Sequence, residues 1–578
     1  MCSPLLVNEA CLTVVSDYKQ RLSLYTQSEE CYQCPLLPRI EVPHRQNVSI
    51  SVDTKFPVQY ELRGRDDIAL PNCNYVQHFG EKGSYLLRVS SDGTCTREVT
   101  RDPVDIYYPL GIAVAVYVGL IIILKCAQFL KRRHFFLRTL SSYSIESQQV
   151  ILSPAAFGEG SVQQVATNDA SICQAPVHPA AIRRRLKSLD TFRGLSVVLM
   201  IFANYGGGKY WFFHHAPWNG LTVADLVFPW FMWIMGTSMA IAIRSLLRKG
   251  VTKRKIFRKA VKRSATLFFL GLILNTLGTD GDMQNIRIPG VLQRFGLAYF
   301  VTCSVHLIRA RRQDGEGDDD IFSYLAEWLV MVPLLAVHVA LTFLLPVPGC
   351  GSNSPSSDQT SDRGYLGPGG WDRNGSFYNC SGGAAGYIDR LIFTGNHLYQ
   401  HSQATKLYHS PLPYDPEGSL GCLTSIFLVF LGLQAGKTLL TYKSSTARVG
   451  RWCTWGLACG IIAGVLCKLS KDDGVIPVNK NLWSVSFIFA MAATAFLLLS
   501  FLYTMIDVKE WWSGGPFCYP GMNPILLYVG HELTHDLFPW FWKCSETHSC
   551  YLFMNLWATS LWVIIAFVLY RKGFFLSV

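Results

Sequence analysis

The side chains best suited to acid–base chemistry lie in a segment rich in glycine, histidine and aromatic residues. It reads Asn204-Tyr-Gly-Gly-Gly-Lys-Tyr-Trp-Phe-Phe-His-His-Ala-Pro-Trp-Asn-Gly and follows a long apolar stretch. Three consecutive glycines end a helix and let a ligand approach the backbone closely. Because an imidazole exchanges a proton near neutral pH, His214 and His215 are candidates for the proton transfer that acyl transfer to an amine requires. The alternative is an interfacial histidine bonded to a backbone carbonyl.

Other polar groups lie in or beside apolar stretches. Asp225 precedes a proline by four residues, so it either serves a functional site or satisfies backbone groups that the proline frees. The pair His531-Glu532 either binds a ligand or joins two helices. Asp190 and Arg193 are three residues apart and share a helical face, where they form an anchoring ion pair or expose the arginine to an anion.

The composition indicates the environment in which these groups act. Half of the 578 residues are hydrophobic and 16% are charged, well below the share of an ordinary soluble chain. The net charge of +12 would suit a nucleic-acid partner. The basic residues, however, cluster at the ends of apolar runs, as in the cytoplasmic loops of membrane proteins. We therefore predict a bilayer partner and no nucleic acid.

Apolar segments long enough to cross about 30 Å of hydrocarbon recur along the chain. Eleven such spans are predicted. They are 107–130, 189–206, 222–246, 264–283, 289–308, 324–346, 419–438, 452–469, 483–506, 522–537 and 552–570. The predicted fold is an all-α polytopic membrane bundle, in which 107–130 is the first transmembrane helix and 188–578 is the main transmembrane domain.

Residues 1–106 are expected to form a separate, small β-sandwich-like domain. Stretches such as Val48-Ser-Ile-Ser-Val alternate or are β-branched, and turn signals separate them. Six cysteines in this region predict disulfides whose pairing the spacing does not decide. They are Cys2, Cys11, Cys31, Cys34, Cys73 and Cys95. The alternative, a zinc site at Cys31 and Cys34, lacks a second ligand pair, and we predict no metal.

Charge and glycosylation sequons predict the orientation. Nine Lys or Arg residues lie in Arg248–Arg263, whereas the loop 347–418 carries sequons at Asn374 and Asn379. A further sequon at Asn47 agrees, so we expect a lumenal N-terminal domain and a cytoplasmic C-terminus. Residues 131–187 lack periodicity and are expected to be a partly disordered cytoplasmic linker. No signal peptide is evident at the start, so we expect an upstream start or a processed chain.

Several motifs from the second to the tenth predicted span carry a resemblance to a known family. They are Asp190-Thr-Phe-Arg-Gly, Asn204-Tyr-Gly-Gly-Gly-Lys-Tyr-Trp, Trp218-Asn-Gly-Leu-Thr-Val-Ala-Asp-Leu-Val-Phe-Pro-Trp-Phe, Arg287-Ile-Pro-Gly-Val-Leu-Gln-Arg, Gly364-Tyr-Leu-Gly-Pro-Gly-Gly, Tyr414-Asp-Pro-Glu-Gly, Ile476-Pro-Val-Asn-Lys-Asn-Leu-Trp-Ser and Tyr519-Pro-Gly-Met-Asn. The chain resembles the heparan-α-glucosaminide N-acetyltransferase family. Its first motif is also similar to that of a wider superfamily of transmembrane acyltransferases.

The resemblance implies a multi-pass enzyme of the lysosomal membrane. It would transfer the acetyl group of cytosolic acetyl-CoA to the terminal non-reducing glucosamine amine of heparan sulfate in the lumen. The family's active-site histidine matches His215 and its supporting asparagine matches Asn204, whereas His214 stands where the family has a lysine. Both a histidine-bound acetyl intermediate and direct attack within a ternary complex remain open. A homodimer is also implied.

Both substrates are anionic and require cations. We predict that Arg193 and Arg263, at cytoplasmic helix ends, contact the phosphates of acetyl-CoA, with lipid-facing anchors as the alternative. On the lumenal side, Arg287 and Lys480 are candidates for binding the sulfated sugar.

Two more predictions concern the surroundings of the histidine. Asn219 and Asp225 are predicted as substrate-binding residues. We expect neighbouring rings to bury His215, which would favour its neutral form in an acidic compartment. These rings are Tyr210, Trp211 and Trp218.

A transporter without acyl-transfer chemistry is the alternative function. Interrupted helices and intramembrane polar residues also occur in transporters. The chain shows no pair of interrupted helices in corresponding halves, which weakens that interpretation.

Overall fold

The computed structural model describes residues 2, 4–64, 67–149, 186–278, 282–310, 325–350 and 363–576, except for the side chains of 128 and 131–149. These residues form two compact units. The larger comprises Met1–Asp105 and Leu186–Val578, and the smaller is Ile106–Arg185.

The N-terminal part of the larger unit is a β-sandwich, as predicted. Its strands are β1 Glu9–Ser16, β2 Leu22–Ser28, β3 Leu37–Val42, β4 Asn47–Asp53, β5 Val58–Arg63, β6 Ala69–Gln77, β7 Ser84–Val89 and β8 Cys95–Arg101. They form two four-stranded sheets, ordered β4-β1-β7-β8 and β3-β2-β5-β6. Alternate side chains of a strand face the same side, and in β1 Ala10, Leu12 and Val14 are buried in the core between the sheets.

The six cysteines of the β-sandwich form three disulfides, which confirms that prediction. The pairs are Cys2–Cys11, Cys31–Cys34 and Cys73–Cys95. Because Cys31 and Cys34 are bonded to each other, they do not provide the zinc ligands that were the alternative.

The smaller unit contains one long helix, α1 Tyr108–Gln149. Its part Tyr108–Ala127 is long and apolar enough to cross a membrane and coincides with the predicted span 107–130. The helix continues into the segment predicted as a disordered linker, because residues of good helix propensity such as Lys, Arg and Leu follow the apolar part. The rest of that linker, 150–185, lies outside the described residues.

The remainder of the larger unit is helical. Its helices are α2 Lys187–Asn204, α3 Val223–Arg248, α4 Lys253–Asn275, α5 Val291–Arg309, α6 Leu325–Leu344, α7 Gly383–Phe393, α8 Gln403–Tyr408, α9 Leu420–Thr441, α10 Ser445–Cys467, α11 Val485–Tyr503, α12 Pro524–Leu533 and α13 His548–Arg571. A single π-helical turn, Thr504–Val508, extends α11. The main core includes the buried side chains of Trp233 on α3 and Phe430 on α9.

Eight of the described helices are long and apolar enough to cross a membrane, so the predicted count of eleven is not confirmed. The other three predicted spans correspond to α2, α4 and α12. Three charged residues interrupt α2, a basic stretch begins α4, and α12 has ten residues. At 1.5 Å per residue, α12 covers about 15 Å, or roughly half of a hydrocarbon core.

Loops at one end of the bundle contact one another and the β-sandwich, and we call this end the site end. The loops, each taken over its described residues alone, are 205–222, 276–290, 345–419, 468–484 and 534–547. Gly220 N donates to Val478 O, and the Tyr32 hydroxyl of the β-sandwich donates to Asp473 Oδ1. The loop 345–419 contains α7, α8 and the disulfide Cys350–Cys380. The opposite end, where the Lys- and Arg-rich start of α4 lies, is called the basic end.

Two glycines bring the start of α2 against the segment that precedes α12. A Cβ added to Gly194 would overlap the carbonyl oxygen of Phe517, and one added to Gly521 would overlap the carbonyl oxygen of Asp190. The backbones therefore touch directly, which fixes the level at which α12 begins beside α2.

Candidate active site

A turn formed by the three glycines leads from α2 to the histidines. Gly206, Gly207 and Gly208 have φ values of 105°, 52° and 67°, in the left-handed region that glycine adopts without strain. Asn555 on α13 holds this turn from both sides. Its Oδ1 accepts from Gly208 N at 2.7 Å, and its Nδ2 donates to Tyr205 O at 2.7 Å.

His215 is paired with Asp225, the third residue of α3. The two groups approach to 2.8 Å between His215 Nδ1 and Asp225 Oδ1. Asp225 is fully buried, and its Oδ2 accepts from the backbone N–H groups of Ala216 and Thr222. A carboxylate in this position holds the tautomer that carries its proton on Nδ1, so Nε2 keeps a lone pair. The pair can therefore accept a proton at Nε2.

Lys480 lies against the same imidazole. Its Nζ is 2.9 Å from Nδ1 and 3.1 Å from Nε2 of His215, and 3.6 Å from Asp225 Oδ1. Nδ1 cannot accept from the ammonium while it donates to Asp225. An atom this close to both ring nitrogens lies over the ring face, so the in-plane lone pair of Nε2 remains available.

Asn219 positions Lys480 through the neighbouring loop. Its Oδ1 accepts from Asn479 Nδ2 at 2.9 Å, and its Nδ2 donates to Asp472 Oδ1 at 2.8 Å. Both polar atoms of the Asn219 side chain are thus used within the protein. Asn219 therefore helps to position the loop that carries Lys480, and its contact with the substrate stays a prediction.

Asn204 belongs to a second polar cluster, with residues of α12. His531 is fully buried, and its Nδ1 lies 3.1 Å from Leu527 O, so this nitrogen donates. Nε2 then accepts from Asn204 Nδ2 at 2.9 Å, and the same Nδ2 also donates to Glu532 Oε1 at 3.3 Å. This arrangement leaves Oδ1 as the acceptor of the exposed Asn204 side chain. The pair His531-Glu532, noted in the sequence, thus holds Asn204.

Arg287 is held by two carboxylates. It donates to both oxygens of Asp415 at 2.7 and 2.6 Å and to Glu417 Oε2 at 2.5 Å. Asp415 is fully buried. This ion-pair network uses most of the donors of Arg287, which favours a role in holding the loops over the predicted contact with the sugar.

Two residues that were not among the predicted site residues connect these clusters. Burial alone would raise the pKa of Glu417, but the cations Arg287 and Lys480 outweigh it and lower that pKa. The charges of Glu417, Arg287 and Glu532 all act on the hydroxyl of Tyr528. Glu417 therefore lies within electrostatic reach of Lys480, and Tyr528 within reach of Glu417 and Glu532. The motif Tyr414-Asp-Pro-Glu-Gly was the sequence signal for Glu417, whereas Tyr528 had none.

The expected burial of His215 is wrong, since 48% of its side chain is exposed. Burial instead suppresses the protonation of the neighbouring His214. Burial, and then the charges of Lys55, His215 and Lys209, lower the pKa of His214 to about 4. Lys55 belongs to the turn between β4 and β5, so the β-sandwich reaches the site. No feature of the sequence linked it to the histidines.

The two cations predicted to bind acetyl-CoA lie away from the pair formed by His215 and Asp225. Arg193 on α2 donates to Ser238 Oγ at 2.7 Å and to Gly521 O at 3.2 Å. Arg263 on α4 stacks over Tyr299, and its Nε is buried without a hydrogen-bond partner among the described residues. The part of the chain that the structure describes contains no group of three or more His, Cys, Asp or Glu side chains that could hold a metal.

These features define the class of the chain. It is a multi-pass membrane protein with a histidine paired to a buried aspartate at one end of its helical bundle, the end that contacts a disulfide-bonded β-sandwich.

Comparison with known proteins identifies the family. Residues 185–312 match the family model described as "Heparan-alpha-glucosaminide N-acetyltransferase, catalytic". The heparan-alpha-glucosaminide N-acetyltransferase of Homo sapiens is 41% identical over 96% of this chain and 85% of its own length. The protein of the same name from Mus musculus is 41% identical over 96% of this chain and 86% of its own length. The chain belongs to the heparan-alpha-glucosaminide N-acetyltransferase family and is an enzyme.

Proposed function

We propose that this chain transfers the acetyl group of acetyl-CoA to the terminal non-reducing glucosamine amine of heparan sulfate. Its membership of the family supports the reaction and the substrate. The observation that carries the mechanism is the bond from His215 Nδ1 to the buried Asp225, because it leaves Nε2 as an accessible proton acceptor.

In the proposed reaction, His215 Nε2 takes a proton from the glucosamine ammonium. The amine nitrogen then attacks the thioester carbonyl carbon, a C–N bond forms and the C–S bond breaks. The nitrogen loses its second proton as the amide forms, and the CoA sulfur, which leaves with the electron pair of the C–S bond, takes up a proton in exchange. His215 then releases the first proton to solvent. Asp225 holds the imidazole in the required tautomer and stabilises its protonated form. The same Nε2 would be the nucleophile if an acetyl-histidine formed, and initial-rate patterns separate the two routes, since only the covalent one gives parallel double-reciprocal lines.

Asn204 is proposed to orient the sugar. Both hydrogens of its amide nitrogen are directed to His531 and Glu532, so Oδ1 is the atom left to accept a hydrogen bond from the substrate amine or a hydroxyl. Lys480 is retained as a candidate contact for a sulfate or carboxylate group of the sugar chain. Asp225, being fully buried, acts through His215 and does not itself touch the substrate in this proposal.

Acetyl-CoA is proposed to enter from the basic end, where anionic phosphates find cations. The buried Nε of Arg263 has no hydrogen-bond partner within the described part of the chain, which fits an anion contact. Arg193 lies beside Gly521, close to the start of α12. We further propose a lysosomal membrane location with the site end in the lumen and the C-terminus in the cytosol. Four disulfides on the site end and the basic cluster at the other end support this orientation. The homodimer implied by the resemblance is retained as a proposal.

The test is acetyl transfer from labelled acetyl-CoA to glucosamine by the purified full chain. We expect His215→Ala to lower the rate about 10²- to 10⁴-fold, the range for loss of a general base. Asp225→Asn should give a similar loss because the tautomer is no longer held. The neighbouring His214→Ala is the matched control and should retain most activity. Full activity in His215→Ala would remove this residue from the mechanism, and binding of both substrates without transfer by the unmodified chain would favour the transporter.

A further inference from the structure

His548, the first residue of α13, joins the helical bundle to the β-sandwich. Its Nδ1 lies 2.8 Å from Gly208 O in the glycine turn, and its Nε2 lies 2.7 Å from Glu81 Oε2 in the loop between β6 and β7. The side chains of His548 and Glu81 are 3% and 4% exposed. Neither Nε2 nor this carboxylate oxygen has another hydrogen-bond partner within the described part of the chain. The imidazole is thus enclosed between two acceptors.

These contacts require the pair of His548 and Glu81 to hold a proton. A backbone carbonyl only accepts, so Nδ1 carries a hydrogen. In a neutral imidazole Nε2 then has a lone pair, and two acceptors would meet at 2.7 Å in a site without water access. One additional proton, on Nε2 or on the carboxyl oxygen, turns this repulsion into a charge-assisted attraction. The observed contact therefore corresponds to the pair with one shared proton.

The groups around the pair decide how firmly it holds this proton. The buried ring of Tyr210 stacks on that of His548 at 4.4 Å, and its π face favours a cation. Against this, Lys82 donates to Glu546 O at 2.8 Å, and Lys209 pairs with Glu546 Oε2 at 3.1 Å. Tyr551 donates to the other carboxylate oxygen of Glu546 at 2.6 Å. Glu546 offsets one of the two lysine charges, and the other, with the positive end of α13, favours release of the proton near neutral pH.

The pair acts on the proposed base from a distance, because Gly208 belongs to the turn that leads to His215. A second contact joins the β-sandwich to this turn, since Asn8 Nδ2 donates to Lys209 O at 3.2 Å. That bond links two neutral groups and does not vary with pH. The contact that depends on a proton is the one made by the pair.

We propose that His548 and Glu81 are positioning residues that share one proton at acidic pH and thereby hold the glycine turn, and with it His215, against the β-sandwich. The inference rests on the proposed function for its effect on catalysis. A free imidazole loses its proton above about pH 6.5, whereas the pair in contact requires the proton. Forming the contact above that pH therefore takes up a proton, so the contact is complete below it and weakens as the pH rises. This direction is opposite to that of a buried neutral histidine such as His214.

Hydrogen exchange of the full chain in detergent tests the contact without any substrate. After correction for the intrinsic effect of pH, peptides covering 80–83 and 205–212 should exchange several-fold faster at pH 7.5 than at pH 5. Glu81→Gln should stay protected at both pH values, because an amide can donate to a neutral imidazole and accept from a protonated one. Glu81→Ala should be unprotected at both.

The matched control is Glu98→Gln, at an exposed glutamate of β8, which should behave like the parent. Equal protection of the parent at both pH values would overturn the proposal. So would a loss of protection in Glu81→Gln as large as that of the parent.

The rate of acetyl transfer tests the positioning role. With both substrates saturating, the parent should lose rate on the alkaline side of its optimum. Glu81→Gln should remove this loss and leave the acid side, where His215 is protonated, unchanged. An equal alkaline loss in the parent and in Glu81→Gln would show that the pair does not position His215. Absence of transfer in every variant would contradict the proposed function instead, and hydrogen exchange would still decide whether the pair holds the turn.

Discussion

The two carboxylate oxygens of Asp225 have different partners: one binds the backbone, and the other faces the proposed base, His215. Oδ2 accepts from the backbone of Ala216 and of Thr222, the N-cap of α3, and Oδ1 faces His215 and Lys480. Since the helix cap already fixes this carboxylate, it orients the imidazole without further loss of freedom when substrate binds.

His214 should make the stability of the enzyme depend on pH. Its pKa is lowered to about 4 in the fold, against about 6.5 in an unfolded chain. The stabilisation linked to neutral His214 is therefore complete above pH 6.5. It is lost as the pH falls towards 4, because over this range His214 binds a proton in the unfolded chain but not in the folded one. At pH 5 the loss is at most about 2 kcal/mol, and solvent exposure of the ring reduces it.

The measurement is the thermal unfolding midpoint at pH 7.5 and pH 5. We expect His214→Asn to show a smaller fall in Tm between these values than the parent. The exposed His78 of the β-sandwich provides a control, since His78→Asn should leave the fall unchanged. An identical fall in the His214→Asn protein would contradict suppressed ionisation of this ring.

At the scale of elements, an ion-pair network joins two loops of the site end. Arg287 belongs to the loop after α4, while Asp415 and Glu417 belong to the loop before α9. Removing one partner of a buried ion pair leaves an uncompensated charge and costs about 3–5 kcal/mol. We expect Arg287→Met to reduce the thermal stability and the folded yield, with Asp415 left buried and unpaired.

Lys480→Met is the matched comparison. Lys480 lies against the imidazole, and when it is removed Asp225 keeps its bond to His215. We expect it to raise the KM for the sugar with little change in Tm. If Arg287→Met instead folded normally and raised that KM, Arg287 would return to the predicted role of a sugar contact.

Pattern and composition predicted the β-sandwich, its disulfides and the apolar helices, because alternation, cysteine number and hydropathy are local properties. The pairing of His215 with Asp225 was not predicted, although both residues were selected. It depends on how Thr222 begins α3, and the sequence does not show where the intervening turn directs each side chain. The sequence could not predict that Lys55 lies near the histidines, because only tertiary packing brings the β-sandwich to them.

At the scale of the whole molecule, the site end and the basic end should face different compartments. Asn47, Asn374 and Asn379 are all exposed on the site end, so we expect glycans at Asn47 and at one or both of the others. A tag after Val578 should be accessible from the cytosol in selectively permeabilised cells. Glycosidase shifts and antibody access measure the two sides. A tag that stays protected would mean an even number of crossings, with the short α12 as the segment that fails to cross.

The backbone contact between Gly194 and Gly521 has a consequence for inheritance. Every single-base change of a glycine codon that yields another amino acid adds at least a Cβ, and at both positions that atom would overlap a carbonyl oxygen. Neither glycine can be replaced without separating α2 from the segment that leads into α12. The bond between Asn204 of α2 and His531 of α12 depends on that alignment. Missense alleles at these two glycines should therefore abolish activity in carriers of two copies, although neither residue lies in the proposed catalytic site.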